Sequence, residues 1–138
     1  MAIVNTYQLL YPGYGQPTAY GVLNAVSLTT GSPQTNSFTT ANTPSLAQGM
    51  TKALVRVKIY NGGGANTTAA FSVNVTDGTN TYIVATVAAT AVANAANSGL
   101  DFYIDVGVDI SFTQVNIVTT LAGTTTTATM DAEVVAGP

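Results

Sequence analysis

Within the stretch Met50 to Gly64 the chain alternates from Lys52 to Tyr60 between an apolar and a largely cationic set of side chains. Ala53, Val55, Val57 and Ile59 occupy one parity, and Lys52, Leu54, Arg56, Lys58 and Tyr60 the other. A β-strand places successive side chains on opposite faces, so this stretch reads as a strand with one apolar and one cationic face. It holds all three basic residues of the protein. Gly62-Gly63-Gly64 closes it.

The same period recurs along the chain. Val22 to Thr30 reads as a strand with Val22, Asn24, Val26 and Leu28 opposite Leu23, Ala25 and Ser27. Phe71, Val73 and Val75 alternate with Ser72 and Asn74. Asp77-Gly78-Thr79-Asn80 then predicts a hairpin, because Asp-Gly supplies the positive φ that a tight turn needs, and Tyr82 to Thr90 is the return strand. Ala91 to Leu100 is Ala/Asn-rich and reads as a loop, with a short helical turn as the alternative. In Asp101 to Asp109 the residues Phe102, Ile104, Val106 and Val108 point inward, Asp101, Tyr103, Asp105 and Asp109 outward, and Gly107 marks a bulge or corner. Phe112 to Leu121 is the next strand, with Val115, Ile117, Thr119 and Leu121 on one side. After a turn at Gly123 to Thr127, Ala128 to Val135 sets Met130, Ala132 and Val134 against Thr129, Asp131 and Glu133. With no convincing helix and turn signals at short spacing, the expected fold is all-β: an antiparallel β-sandwich or jelly roll of about eight strands with an extended N-terminal arm.

Two segments lack this period. Residues 1–20 interleave Tyr7, Tyr11, Tyr14 and Tyr20 with Pro12, Gly13, Gly15 and Pro17; the core at 11–17 excludes a helix, and the segment reads as an extended arm or a long turn. Tyrosine has an apolar body and a polar tip and suits interfaces, so the arm either covers the end of its own sandwich or touches a neighbouring subunit. Residues 31–49 form a long polar loop within the sandwich domain, 21–138, and Phe38 and Leu46 are its only large apolar anchors.

Composition bounds the chemistry. The 138 residues suffice for one domain with a real core, and 46% of them are hydrophobic. Only 7% are charged, well below the usual quarter, so Thr, Asn, Ser, Gln and Gly must cover the surface, which suits packing against copies of itself or a partner. There is no His and no Cys, which removes Ser-His-Asp triads, cysteine nucleophiles, disulfides and zinc sites of the usual kind. A net charge of −3 with three basic residues makes nucleic acid an unsuitable partner. Met1-Ala2-Ile3-Val4-Asn5 lacks the pattern of a signal peptide, and no apolar run is long enough for a transmembrane helix, so synthesis in a cytoplasm and no membrane partner are expected.

Candidate sites are few. Asp101, Asp105 and Asp109 share an outward face, but residues four apart on a strand are separated by roughly 13 Å, too far to share an ion or act as a catalytic pair unless Gly107 bends the strand. Pairing with Lys52, Arg56 and Lys58, across strands or across subunits, is the better use of them. Asp77 to Asn80 lacks the remaining ligands of a calcium loop, the Asn66 and Asn74 sequons are chance matches in an Asn/Thr-rich chain, and the triple glycine has no phosphate-loop lysine. No metal or other cofactor is expected. Tyr60, Tyr82 and Tyr103 are candidates for an aromatic sugar-binding face.

From Lys52 to Val135 the order of features resembles a β-sandwich module of tailed-bacteriophage virion proteins. The shared features are the alternating strand, the Gly/Thr turn at 62–68, Phe-Ser-Val-Asn-Val, Asp-Gly-Thr-Asn-Thr-Tyr, Val-Ala-Thr-Val, and a last strand pair joined by Gly-Thr-Thr-Thr-Thr and ending Met-Asp-Ala-Glu-Val-Val. Tyr82 stands near the place of the Trp that often follows the Asp-Gly turn in such modules. The resemblance implies a non-enzymatic capsid decoration (cement) or head-fibre protein on the virion surface. It implies a homo-oligomer, a trimer at three-fold positions, with the major capsid protein or another virion protein as partner. Its contacts are expected at Tyr7, Tyr11, Tyr14, Tyr20, Phe38, Lys52, Arg56, Lys58, Asp101 and Asp105. The alternative is a carbohydrate- or receptor-binding module of a phage fibre or tail.

Overall fold

The computed structural model describes residues 18–61, 67–92, 99–123 and 127–138. Among these it is all-β. The strands are β1 (Ala19–Thr29), β2 (Gln34–Phe38), β3 (Met50–Asn61), β4 (Thr68–Thr76), β5 (Thr81–Ala91), β6 (Gly99–Phe112), β7 (Gln114–Ala122) and β8 (Thr127–Gly137), with a short 3-10 helix at Pro44–Gln48. Two four-stranded sheets have the orders β1-β8-β3-β6 and β2-β7-β4-β5. Every pairing between these strands is antiparallel. The pairs β1·β8, β2·β7, β3·β6 and β4·β5 nest inside one another, as when one long hairpin is wrapped round a barrel. This is the jelly-roll form of the expected sandwich.

The core lies between the inner faces. Val55, Val57 and Ile59 of β3, Val73 and Val75 of β4, Val115 and Ile117 of β7, and Met130 and Val134 of β8 are fully buried, at the parity their alternation predicts. Phe71 and Phe102 join the two sheets edge to face, with ring centroids 5.0 Å apart. The β4–β5 turn is held by Asp77, whose Oδ1 accepts the amides of Thr79 and Asn80 at 2.8 and 2.7 Å, while Gly78 takes φ +98°. No helix of the described residues is long and apolar enough to cross a membrane.

Four expectations change. β1 begins at Ala19, so Tyr20 is a strand residue, while Tyr7, Tyr11 and Tyr14 lie outside the described residues. The polar loop at 31–49 contains β2 and the 3-10 helix, and its anchors Phe38 and Leu46 are fully buried. In β1 the register slips between Leu23 and Val26, where Ala25 adopts φ 50° and donates its amide to Asp131 Oδ1 at 2.7 Å. That bulge reverses the facing of the strand, so Leu28 is buried while Val22, read on the same side, is exposed. Phe112, read as the start of a strand, ends β6, and the next strand begins at Gln114. Gly107 does sit at a bulge: Met50 pairs with Phe112, but Lys52, two residues on, pairs with Gly107. The turn at 62–66, most of the loop at 93–98, and 124–126 lie outside the described residues.

Candidate functional site

The outer face of the β1-β8-β3-β6 sheet gathers nearly all of the charge. Because register fixes which residues stand side by side, the face can be read as rows across the strands. Gly137, Lys52 and Gly107 form the row nearest the end of the sheet. Tyr20, Val135, Leu54 and Asp105 form the next. Val22, Glu133, Arg56 and Tyr103 follow, and then Asp131, Lys58 and Asp101. The cationic strand β3 thus lies between carboxylates on β8 and β6, which brings Lys52, Arg56, Lys58, Asp101 and Asp105 onto one surface as expected.

Arg56 is the electrostatic centre. Its Nε and Nη2 donate to Asp101 Oδ1 and Oδ2 at 3.1 and 3.0 Å, and its Nη1 is 3.8 Å from Glu133 Oε1. The guanidinium also lies 5.7 Å from the Tyr103 ring centroid. These hydrogen bonds raise the Arg56 pKa further above its ordinary value and hold the Asp101 carboxyl below the usual carboxylate range. Lys58 Nζ lies 4.6 Å from the Tyr60 ring centroid, and its hydrogen bond to Tyr60 raises its pKa. Between these groups Asn24, Arg56, Lys58, Tyr60, Asp131 and Glu133 line a pit of about 100 Å³. Among the described residues Lys52 and Asp105 make no ion pair.

The remaining candidates separate. Phe38 has 0% exposure and belongs to the core, so it is corrected as a contact residue. Tyr60 and Tyr103 share the charged face, but Tyr103 stands opposite Arg56, four residues from Tyr60 on β3. Tyr82 lies on β5 in the other sheet, so the three tyrosines build no common platform. Asp101 and Asp105 stay at strand spacing because the bulge falls beyond them, after Gly107. No group of three or more carboxylates among the described residues is placed to hold a metal ion.

Tyr20, Val22, Leu54, Tyr103 and Val135 are large apolar side chains exposed on this same face. Tyr20, Val135 and Leu54 are direct cross-strand neighbours, and beside them a shallow depression of about 480 Å³ is lined by Thr18, Lys52, Asp105, Gly107 and Gly137. Leu54 is on the outward parity of its strand and was legible as exposed. Val22 was hidden by the β1 bulge.

The strands β2, β7, β4 and β5 contain no charged residue. On the outer side of their sheet Asn116 Oδ1 accepts from Ser37 Oγ at 2.6 Å and from Gln114 Nε2 at 2.7 Å.

No protein-family model and no curated protein matches the sequence. The fold is similar to part of the dimeric latent PorU of Porphyromonas gingivalis, with a TM-score of 0.50 and 11% identity over 88% of this chain. This chain spans 13% of that one. Weaker likenesses are to the VP2 subviral particle of infectious bursal disease virus, TM-score 0.39 and 10% identity, covering 87% of this chain and 30% of that one, and to the Gt strain of the same virus, TM-score 0.37 and 13% identity, covering 86% and 32%. At these identities the likeness is one of fold: the chain is an eight-stranded antiparallel β-sandwich.

Proposed function

We propose that this protein is a non-enzymatic structural subunit of a virion, a decoration or cement protein seated on a capsid surface as a homo-oligomer, with a trimer the favoured form. The observation that supports it best is the face of β1, β8, β3 and β6. In a chain with 7% charged residues, one surface combines exposed Tyr20, Leu54, Tyr103 and Val135 with a fixed pattern of opposite charges. Exposed apolar side chains clustered on one face mark an interaction surface, and charges around them set register and partner choice. Jelly rolls serve in capsids and in lectins alike, so the fold agrees with this reading without selecting it. The mechanism is linkage: a subunit that binds the assembled shell better than the free capsomers stabilises the shell by mass action. Light scattering on the purified protein, followed by co-sedimentation with capsids of the virus whose genome encodes it, tests the reading. Co-sedimenting oligomers and a raised capsid melting temperature are expected. A strict monomer that leaves capsids untouched overturns it.

Exposed Tyr103, at 65% and beside Arg56, favours a second reading as a carbohydrate-binding module. It requires saturable binding on a glycan array that Tyr103→Ala abolishes.

A further inference from the structure

The row Tyr20–Val135–Leu54 is exposed by 54, 46 and 44%. Ion pairs border it on the Arg56 side. On the other side Gly107 and Gly137 flank Lys52, and a Cβ built on either glycine meets nothing within 4 Å, so the row opens into a trough floored by bare backbone. Apolar surface left in water costs about 25 cal/mol per Å², and this chain has little charge elsewhere to oppose association.

Thr18, the first described residue, lines the same trough. The segment before it, residues 1–17, contains no charged residue and carries Leu9, Leu10, Tyr7, Tyr11 and Tyr14. We propose that the trough seats the N-terminal segment of a second copy of this chain. Its tyrosine rings match exposed Leu54 and Val135 in chemistry, and tyrosine hydroxyls match Lys52 and Asp105, which have no ion-pair partner among the described residues. An uncharged, tyrosine-rich segment meets an apolar row without desolvating a charge, and tyrosine offers both the body and the polar tip that such a rim needs. The donor is a second copy because Thr18 leaves the sheet at the trough's own edge. The chain runs from Thr18 past Ala19 to Tyr20, which pairs with Val135 beside Leu54, so the strand direction carries a segment preceding Thr18 away from its own Val135–Leu54 row. Seventeen residues reach up to about 55 Å when extended, ample for a neighbouring copy. The proposal stands apart from the virion reading, since it concerns contacts within the oligomer alone.

The absence of cysteine makes a direct test available. Tyr11→Cys and Leu54→Cys variants, each mixed with the other under mild oxidation, are expected to form a disulfide-linked heterodimer. The control mixes Tyr11→Cys with Thr86→Cys, an exposed position on the opposite sheet. Leu54→Glu is expected to shift the oligomer to monomer in light scattering, with unchanged circular dichroism. Heterodimer no more abundant than in the control overturns the proposal. So does closure of the Tyr11→Cys/Leu54→Cys double variant within a single chain, or an oligomer mass that Leu54→Glu leaves unchanged. Cross-linking that persists in a protein unable to bind capsids removes the virion reading alone.

Discussion

Arg56 and Asp101 hold each other through two hydrogen bonds of 3.1 and 3.0 Å, although they are not direct cross-strand partners. Tyr103 stands opposite Arg56, and Lys58 opposite Asp101, so the pair runs diagonally between β3 and β6. The guanidinium is therefore engaged within its own chain, with Glu133 on its other side. Arg56→Glu places three carboxylates together at the centre of the face. The expected result is a lower melting temperature at low salt that added salt partly restores, because exposed charges are screened. The exchange Arg56→Glu with Asp101→Arg is expected to recover more of the loss than either change alone. A melting curve indifferent to Arg56→Glu would mean the pair contributes nothing.

The pH response follows from the same face. Asp101 is held below the ordinary carboxylate range by the Arg56 hydrogen bond, and Asp77 by the backbone amides of Asn80 and Thr79. Groups whose folded pKa is depressed contribute stability in full above the unfolded value of about 3.9, and lose it as pH falls through the folded values. Lys58 is raised, so its contribution is complete below about 10.4 and is lost as pH rises through its folded value. With no histidine, no side chain has an ordinary pKa between these limits near neutrality. Urea midpoints are expected to be flat from about pH 6 to 8 and to fall in acid, with a shallower acid limb in Asp101→Asn.

Phe38 was read as a contact residue and is a core residue, and Gly21 beneath it explains how the 31–49 segment is anchored. A Cβ on Gly21 would collide with Thr43 Oγ1 and stand 2.8 Å from Phe38 Cδ1. Phe38→Ala is expected to cost about 3–5 kcal/mol in urea unfolding, the usual price of an emptied aromatic site. Gly21→Ala is expected to cost about 1–3 kcal/mol by overpacking. Below their unfolding transitions both variants should keep the wild-type oligomer mass; a monomer from folded Phe38→Ala would restore Phe38 to the interface.

These residues also show where sequence reasoning reached its limit. The parity of Val55, Val57, Ile59, Val73, Val75 and Met130 was legible because each lies in an unbroken period-two run on a central strand, where one face must be dry. β2 was not, because Gln34–Phe38 offers one large apolar residue at its end and otherwise polar side chains. The β1 facing failed at Ala25, where nothing in an alanine announces φ 50°; the bulge is held from Asp131, 106 residues away. The charged face was half legible. Alternation placed β3 and β6 charges outward, but only the sheet order puts β8 beside β3 and so gives Arg56 its Glu133.

Two asparagines face each other across β4 and β7 and are expected to respond oppositely to mutation. Asn116 is 8% exposed and accepts from both Ser37 and Gln114. Asn116→Val leaves those donors without their acceptor, so a loss of about 1–3 kcal/mol is expected. Asn74, its partner in register, has a buried Oδ1 with no hydrogen bond. A buried acceptor left unmade is a cost already present in the folded protein, and valine also suits a strand better than asparagine. Asn74→Val is therefore expected to be neutral or stabilising by up to about 1 kcal/mol. Urea midpoints of the two variants at one pH decide it: equal losses would mean that the Asn74 amide is engaged after all, and that the pair acts as one network.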